Sequence, residues 1–173
     1  MSVIVRAVRQ AATVSSPPYT QTFTVPGAFG GNPKAAIFIV TGAVTEATFA
    51  NGAQLSFGIT DGTRQFAISS AAQDNVATSN CHNRKSNTNC IYMIAGTAVD
   101  AAANFNAWVT DGEQINWTDA PPVAALVTCI LLGGTDLSVY AGDFTASSSV
   151  NTGTTVTAPG FQPDHLIIMG NSA

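Results

Sequence analysis

The sequence contains few charged residues. Of its 173 residues only 9% are Asp, Glu, Lys or Arg, and the formal net charge is −4, whereas about 25% charged residues is usual for globular proteins. The only adjacent basic pair is Arg84-Lys85. Binding to a phosphate backbone needs concentrated positive charge. We therefore expect no direct contact with nucleic acid.

Long apolar runs are also missing. No stretch approaches the roughly 18 consecutive apolar residues that cross a bilayer as a helix. The N-terminal sequence MSVIVRAVRQAATVSSPPY has too short an apolar stretch for a signal peptide and no clear cleavage site after it. These absences predict synthesis in the cytosol of the host cell and no membrane partner.

The sequence lacks the usual motifs of enzymes and metal sites. Its three cysteines are too few for a disulfide scaffold, and neither a CxxC nor an HxxxH spacing occurs. It also lacks a GxSxG motif, a glycine-rich phosphate loop followed by a helix, and a pair of acidic residues at catalytic spacing. Cys129 lies in an apolar run and is expected to be buried. We predict no enzyme activity, no metal and no cofactor.

Strand patterns are frequent, in contrast. Alternating or continuous apolar segments are separated by Gly, Pro, Asn and Asp, as in antiparallel sandwiches and barrels. The predicted fold is all-β, an antiparallel sandwich over residues 19–173 that is either jelly-roll-like or pseudo-duplicated. A short helical turn is expected at 98–105. The predicted strands are 19–25, 35–41, 53–60, 64–69, 90–94, 105–110, 114–118, 123–132, 137–144, 154–157 and 166–169.

Two Asp-Gly corners, Asp61-Gly62 and Asp111-Gly112, each join two of these strands. Asp-Gly is a strong signal for a tight hairpin because glycine tolerates a positive φ. We therefore interpret both aspartates as turn residues. The functional alternative is a catalytic acid or a calcium ligand.

Residues 1–18 precede the first clear strand. Residues 4–12 fit either two helical turns or an extended arm, and Pro17-Pro18 ends the segment as a linker. We favour an extended N-terminal arm that contacts neighbouring molecules. Its expected assembly residues are Val3, Val5, Arg6, Val8 and Arg9.

The segment CHNRKSNTNC, residues 81–90, is polar throughout. A disulfide between Cys81 and Cys90 would close it as an exposed loop outside the cell, and a reduced loop is the alternative. Asparagine amides both donate and accept hydrogen bonds, so such a loop also suits sugar hydroxyl groups. The predicted interaction residues are His82, Asn83, Arg84, Lys85, Asn87 and Asn89.

The two ends of the sequence resemble each other. TFTVPGAFGGNPKAAIFIV begins at Thr22 and TVTAPGFQPDHLIIMG begins at Thr155. Each contains alternating threonines, a Pro-Gly break, a second proline and an apolar strand. An exposed apolar strand promotes aggregation. We therefore expect the second of these two segments to close a sheet, either within its own chain or between copies of the chain. The alternative is a remnant of a tandem duplication.

Several segments resemble structural proteins of tailed bacteriophages. The similar blocks are GNPKAAIFIVTGA, LSFGITDGTRQFAIS, DGEQINWTDAPPVAALVTCILLGG and GFQPDHLIIMGNSA, which cover most of residues 19–173. The 81–90 segment matches no such pattern. The resemblance implies a component of the virion that assembles as a homo-oligomer, with a trimer among the options.

Within that class, the resemblance implies most directly a head decoration, or cement, protein that bridges subunits of the major capsid protein. The first alternative is a tail or head fibre module that binds host carbohydrate through the asparagine-rich segment. A tail tube or adaptor component is a further alternative.

Overall fold

The chain folds as a sandwich of two antiparallel β-sheets. The computed structural model describes residues 2–43, 52–73, 80–149 and 152–170, and this part contains ten strands and no helix. No helix in the described part is therefore long and apolar enough to span a membrane. The all-β prediction is confirmed. The strands are β1 Ile4–Ala11, β2 Tyr19–Thr24, β3 Ala35–Thr41, β4 Ala53–Thr60, β5 Gln65–Ala72, β6 Cys81–Ser86, β7 Ile91–Ala95, β8 Ala98–Val109, β9 Gly112–Asp119 and β10 Leu126–Gly133.

One sheet has six strands in the order β1-β10-β3-β4-β5-β6, and the other has four in the order β2-β9-β8-β7. Strands β3 to β6 form one meander and β7 to β9 form a second. The two predicted Asp-Gly hairpins join β4 to β5 and β8 to β9. In the first, Gly62 has a φ of +83°. In the second, Asp111 itself has a φ of +59°, a conformation that aspartate tolerates better than most residues.

The core lies between the sheets and follows the period-2 pattern of the strands. Within β3, for example, Ala36, Phe38 and Val40 are fully buried. The ring of Phe38 meets Phe23 of the opposite sheet edge-on, with centroids 6.0 Å apart. The other large buried side chains of the core are Ile91, Met93, Ile115, Trp117, Val127 and Leu131.

The helical turn predicted at 98–105 is wrong. This segment forms most of β8, the longest strand, and its alanines Ala101 and Ala103 are fully buried. The alanine-rich composition favours a helix by intrinsic propensity. In the structure the small side chains instead lie in the interior of the sandwich, where tertiary packing overrides propensity.

The predicted N-terminal arm is not confirmed as a separate element. Ile4–Ala11 is extended as expected, but it is β1 and pairs with β10 without a register shift, from Ile4↔Gly133 to Ala11↔Leu126. Arg6, Val8 and Arg9 therefore belong to an edge strand of the sandwich, and pairing with β10 satisfies the backbone groups on one side of that strand. The outer ends of the predicted domains, Met1 and residues 171–173, lie outside the described residues.

The three strands predicted after β10 do not form in the described residues. The chain instead runs past the start of β3 and the β4–β5 turn, where Lys34 Nζ donates to the Leu137 carbonyl at 2.7 Å. Ala141 N–H donates to Asp61 Oδ2 at 3.0 Å, and the Arg64 guanidinium lies 3.9 Å from the Tyr140 ring centroid. Beyond Ala141 the described residues are exposed, except for two half-buried ones. Of the two forms of closure expected for this segment, closure within its own chain is therefore not observed in the described residues, and closure between copies stays a prediction.

Candidate functional site

The six-stranded sheet has a second apolar face, on the side away from the four-stranded sheet. Residues paired across an antiparallel ladder point to the same face, and the registers of β1, β10, β3, β4 and β5 bring one apolar set together. We call this surface the outer face. Its residues are Val5, Ala7, Leu126, Ile130, Leu132, Ile37, Ile39, Leu55, Phe57, Ile59, Phe66 and Ile68.

The outer face is accessible to a partner. Val5 is 50% exposed and Leu55 is 37% exposed, and most of the others are half-buried. Five strands about 4.8 Å apart, each contributing about seven residues of about 3.3 Å, span roughly 500 Å². That area lies within the roughly 300–600 Å² of the largest apolar patch on a typical monomer, a patch that is often functional. It is somewhat over half of the roughly 800 Å² that one partner contributes to a standard interface.

The sequence contained a signal for the outer face. The segments AAIFIVT and LVTCILL of β3 and β10 are continuously apolar, which is typical of strands buried on both faces. The members from β4 and β5 could not be assigned in advance, because a one-residue change in register would reverse which side chains share a face. Charged residues on this side, Arg9 and Lys85, stand on the outermost strands β1 and β6.

The predicted interaction loop is largely a strand. Cys81–Ser86 forms β6, the edge strand of the six-stranded sheet, and pairs with β5 from Ala72↔Cys81 to Ala67↔Ser86. Asn83, Arg84, Lys85 and Asn87 are exposed, and His82 is half-buried. Asn89, in contrast, is buried, and its Nδ2 donates to Asn104 Oδ1 at 2.5 Å. Asn89 therefore fixes the backbone before β7 and is not accessible to a ligand.

A shallow cleft of about 190 Å³ opens beside β6. On one side it is lined by His82, Asn83 and Arg84, and on the other by Ile94, Gly96 and Thr97 at the β7–β8 turn. The His82 ring nitrogen Nε2 forms a hydrogen bond with Asn80 Oδ1, which orients the imidazole. The cleft therefore offers a guanidinium, an amide and a hydroxyl group to a small polar ligand.

No disulfide joins Cys81 to Cys90, so that predicted bridge is absent. Cys81 is exposed on β6, whereas Cys90 is fully buried next to β7, with its Sγ 3.4 Å from the Ala103 carbonyl oxygen. Burial raises the pKa of the Cys90 thiol well above its usual value, and the nearby Glu113 contributes to the shift. The sequence signal was that Cys90 directly precedes the apolar strand IYMIA, which places it in the core.

The two turn aspartates cap backbone amides. Asp61 accepts N–H groups from Thr63, Arg64 and Ala141. Burial alone would raise the pKa of Asp61, but these donors and the Arg64 charge hold it below its usual value.

Asp111 accepts N–H groups from Gly27, Phe29 and Gly30 of the β2–β3 connection, at 2.7 to 3.0 Å. The Phe29 and Gly27 donors, with Gly30, hold its pKa below the usual value. Asp61 and Asp111 thus bind different segments, and the structure does not bring these two carboxyl groups together as a catalytic pair.

The described residues contain no cluster of three or more His, Cys, Asp or Glu side chains arranged to hold a metal ion. Comparisons with protein-family models, with curated proteins and with solved structures found no match. The two candidate functional surfaces are therefore the outer face and the β6 cleft, and both are suited to binding.

Proposed function

We propose that this chain is a structural protein of a bacteriophage virion, and specifically a decoration protein that binds the outside of the head. The observation that supports the proposal is the outer face, because the largest apolar patch of a small protein is often a binding site and this one approaches the area of a standard protein interface. The phage-like sequence blocks supply the context of the virion. The partner is the major capsid protein.

The proposed mechanism is mechanical. The outer face packs against neighbouring capsid subunits, and the hydrogen-bonded sheet beneath it resists deformation when pressure in the head pushes those subunits apart. The sparse charge of the chain suits such contacts, since an unpaired charge is costly to bury in an interface. Many copies acting together stabilise the lattice.

A charge placed at the centre of the outer face tests the proposal. We expect Ile39→Glu to fold but to lower binding to heads that lack this chain by about tenfold or more, because it buries an unpaired charge in the contact. Val123→Glu is the matched control, since Val123 is 48% exposed in the β9–β10 connection. The measurements are copies bound per head and the temperature at which heads release DNA.

The proposal predicts that the wild-type chain and the control variant saturate heads at many copies and raise their release temperature. Circular dichroism of both variants verifies that they are folded. Failure of the wild-type chain to bind heads, or full binding by the folded Ile39→Glu variant, would overturn the proposal.

The β6 cleft supports a second candidate function, recognition of carbohydrate on the host surface as part of a fibre. Its guanidinium and amide groups match the hydroxyl groups of a sugar, and its volume of about 190 Å³ suits one small ring. In that case the virion would contain few copies of the chain.

A glycan array tests the second candidate. Arg84 lines the cleft, whereas its neighbour Lys85 is not part of the lining. We expect Arg84→Ala to weaken glycan binding about tenfold or more, because a hydrogen bond to a charged group is lost, and Lys85→Ala to leave it unchanged. Equal binding by both variants, or no binding by the wild-type chain, would contradict this function.

A further inference from the structure

The C-terminal segment 152–170, which we call the C-terminal arm, carries an apolar strand sequence without strand pairing. Leu166 is 74% exposed, Ile167 is 61% exposed and Ile168 is 63% exposed. These residues read LIIM with Met169, a sequence of high strand propensity. Exposing such a segment in water is unfavourable, so it has the character of a strand that pairs with another molecule.

The C-terminal arm also repeats a unit that is fully paired elsewhere in this fold. Its sequence resembles the β2–turn–β3 unit, and the turn glycines Gly27 and Gly160 have nearly the same φ, +73° and +72°. In both units the chain bends at the residue after the second proline, Lys34 in one and Asp164 in the other. The residues that follow Lys34 form β3, which is paired on both sides, with β10 and with β4.

Only one of the four sheet edges among the described strands suits an apolar strand. β6 is polar, and β2 presents Thr20, Thr22 and Thr24 on one face. β7 has only five residues and an irregular register between Met93 and Ile94, which disfavours pairing with a further strand. The β1 edge, in contrast, has apolar residues on both faces: Val5 and Ala7 on one, and Ile4 and Val8, on either side of Arg6, on the other. A strand with apolar residues on both faces, such as LIIM, matches β1.

The charges of the two segments are complementary. Residues 1–18 contain Arg6 and Arg9 and no acidic residue, whereas the C-terminal arm, residues 152–170, contains Asp164 and no Lys or Arg. Asp164 stands at the start of the apolar strand sequence. The same chain contains both the β1 edge and the arm, yet Val5 and Leu166 both remain exposed, so they do not satisfy each other within one molecule.

We propose that residues 164–169 of one copy add as a seventh strand to the β1 edge of the six-stranded sheet of a second copy. Main-chain hydrogen bonds would provide the affinity, and the alternate apolar side chains would fix the register. Reciprocal exchange produces a closed dimer, and one-way exchange produces a ring such as a trimer. This contact goes beyond the proposed docking on the head, because it uses an edge and an arm and forms in the isolated protein.

Two complementary variants of the full chain test the proposal. Leu166→Glu/Ile168→Glu removes the donor strand, and Val5→Glu/Ala7→Glu places charges on the acceptor edge, which blocks strand addition. We expect light scattering to give the wild-type chain at least twice the 17.7 kDa monomer mass and each variant 17.7 kDa. An equimolar mixture contains one intact donor and one intact acceptor, so it should recover the doubled mass.

Two controls separate this contact from other causes. Thr155→Glu/Thr157→Glu adds the same charge elsewhere in the arm and should leave the assembly intact, as should the outer-face variant Ile39→Glu, which affects only binding to heads. A monomeric wild-type chain, a mixture that stays monomeric, or a donor variant that still assembles would overturn the proposal. The donor variant remains decisive even if the acceptor variant fails to fold.

Discussion

Gly58→Ala is expected to destabilise the fold by on the order of 3 kcal/mol, at the upper end of the cost of overpacking a core. Gly58 lies on β4 at a point where the two sheets approach closely. A methyl group there would overlap the carbonyl oxygen of Cys90 and come within 2.7 Å of its carbonyl carbon. Both atoms belong to the backbone, so no side chain can rotate away, and the sheets must separate.

Chemical denaturation of the wild-type chain and the variant measures this effect. Gly31→Ala is the matched control, because a methyl group at that position meets no atom within 4 Å. The control should be neutral or more stable by up to about 1 kcal/mol, since alanine restricts the unfolded chain. Equal stability of Gly58→Ala and Gly31→Ala would show that the sheets tolerate separation at this point.

The fold class could be predicted because local pattern and tertiary structure agree over most strands. β3 and β4 have the predicted bounds, residues 35–41 and 53–60. Both hairpins were visible as Asp-Gly corners. In these regions period-2 alternation, turn residues and hydrophobic burial all favour the same structure, which is the condition under which sequence patterns are reliable.

The two ends of the chain could not be predicted, because their structure depends on partners. The segments IVRAVRQA and HLIIMG are both short and apolar, and no local signal states whether a neighbouring strand has an open edge. β10 offers an edge to β1, so the expected N-terminal arm is part of the sheet. The expected closing strand, residues 166–169, pairs with no edge of its own chain and remains largely exposed.

The candidate site could be predicted only in part from the sequence, because it depends on which strands pair. The β6 cleft combines His82 and Arg84 with residues of the β7–β8 turn, and pairing of β6 with β5 places them there. Glu113 was missed altogether, although a signal existed. Period-2 alternation places Glu113 on the same face of β9 as Ile115 and Trp117, which predicts a carboxyl group in the core.

Glu113 is fully buried, and in the described part of the structure neither of its carboxyl oxygens has a hydrogen-bond partner. Burial raises its pKa well above 4.5. Burial, with a smaller contribution from the Glu113 carboxyl, raises the pKa of the Cys90 and Cys129 thiols well above 9.0. The thiols therefore keep their protons to a higher pH than an exposed cysteine, and Glu113 keeps its proton to a higher pH than an exposed glutamate.

We expect the free energy of unfolding to fall as pH rises above about 4.5. In the unfolded chain Glu113 loses its proton near pH 4.5, whereas in the folded chain it keeps the proton to a higher pH. Over that interval the folded state binds the additional proton, so each pH unit costs up to about 1.4 kcal/mol. The contribution is fully present below pH 4.5 and is lost as pH rises through the raised pKa.

Glu113→Gln removes the titrating group and should remove this slope, making the variant more stable than the wild-type chain at neutral pH. Denaturation curves between pH 4 and pH 9, compared between the two chains, isolate Glu113 because all other titratable groups are shared. Glu113→Leu also removes the unsatisfied polar atoms, so it should be at least as stable as Glu113→Gln, since unpaired buried polar groups cost about 1–3 kcal/mol. An unchanged slope in Glu113→Gln would mean that the buried carboxyl does not govern the pH dependence, and destabilisation by Glu113→Leu would mean that the carboxyl contributes a favourable interaction in the core.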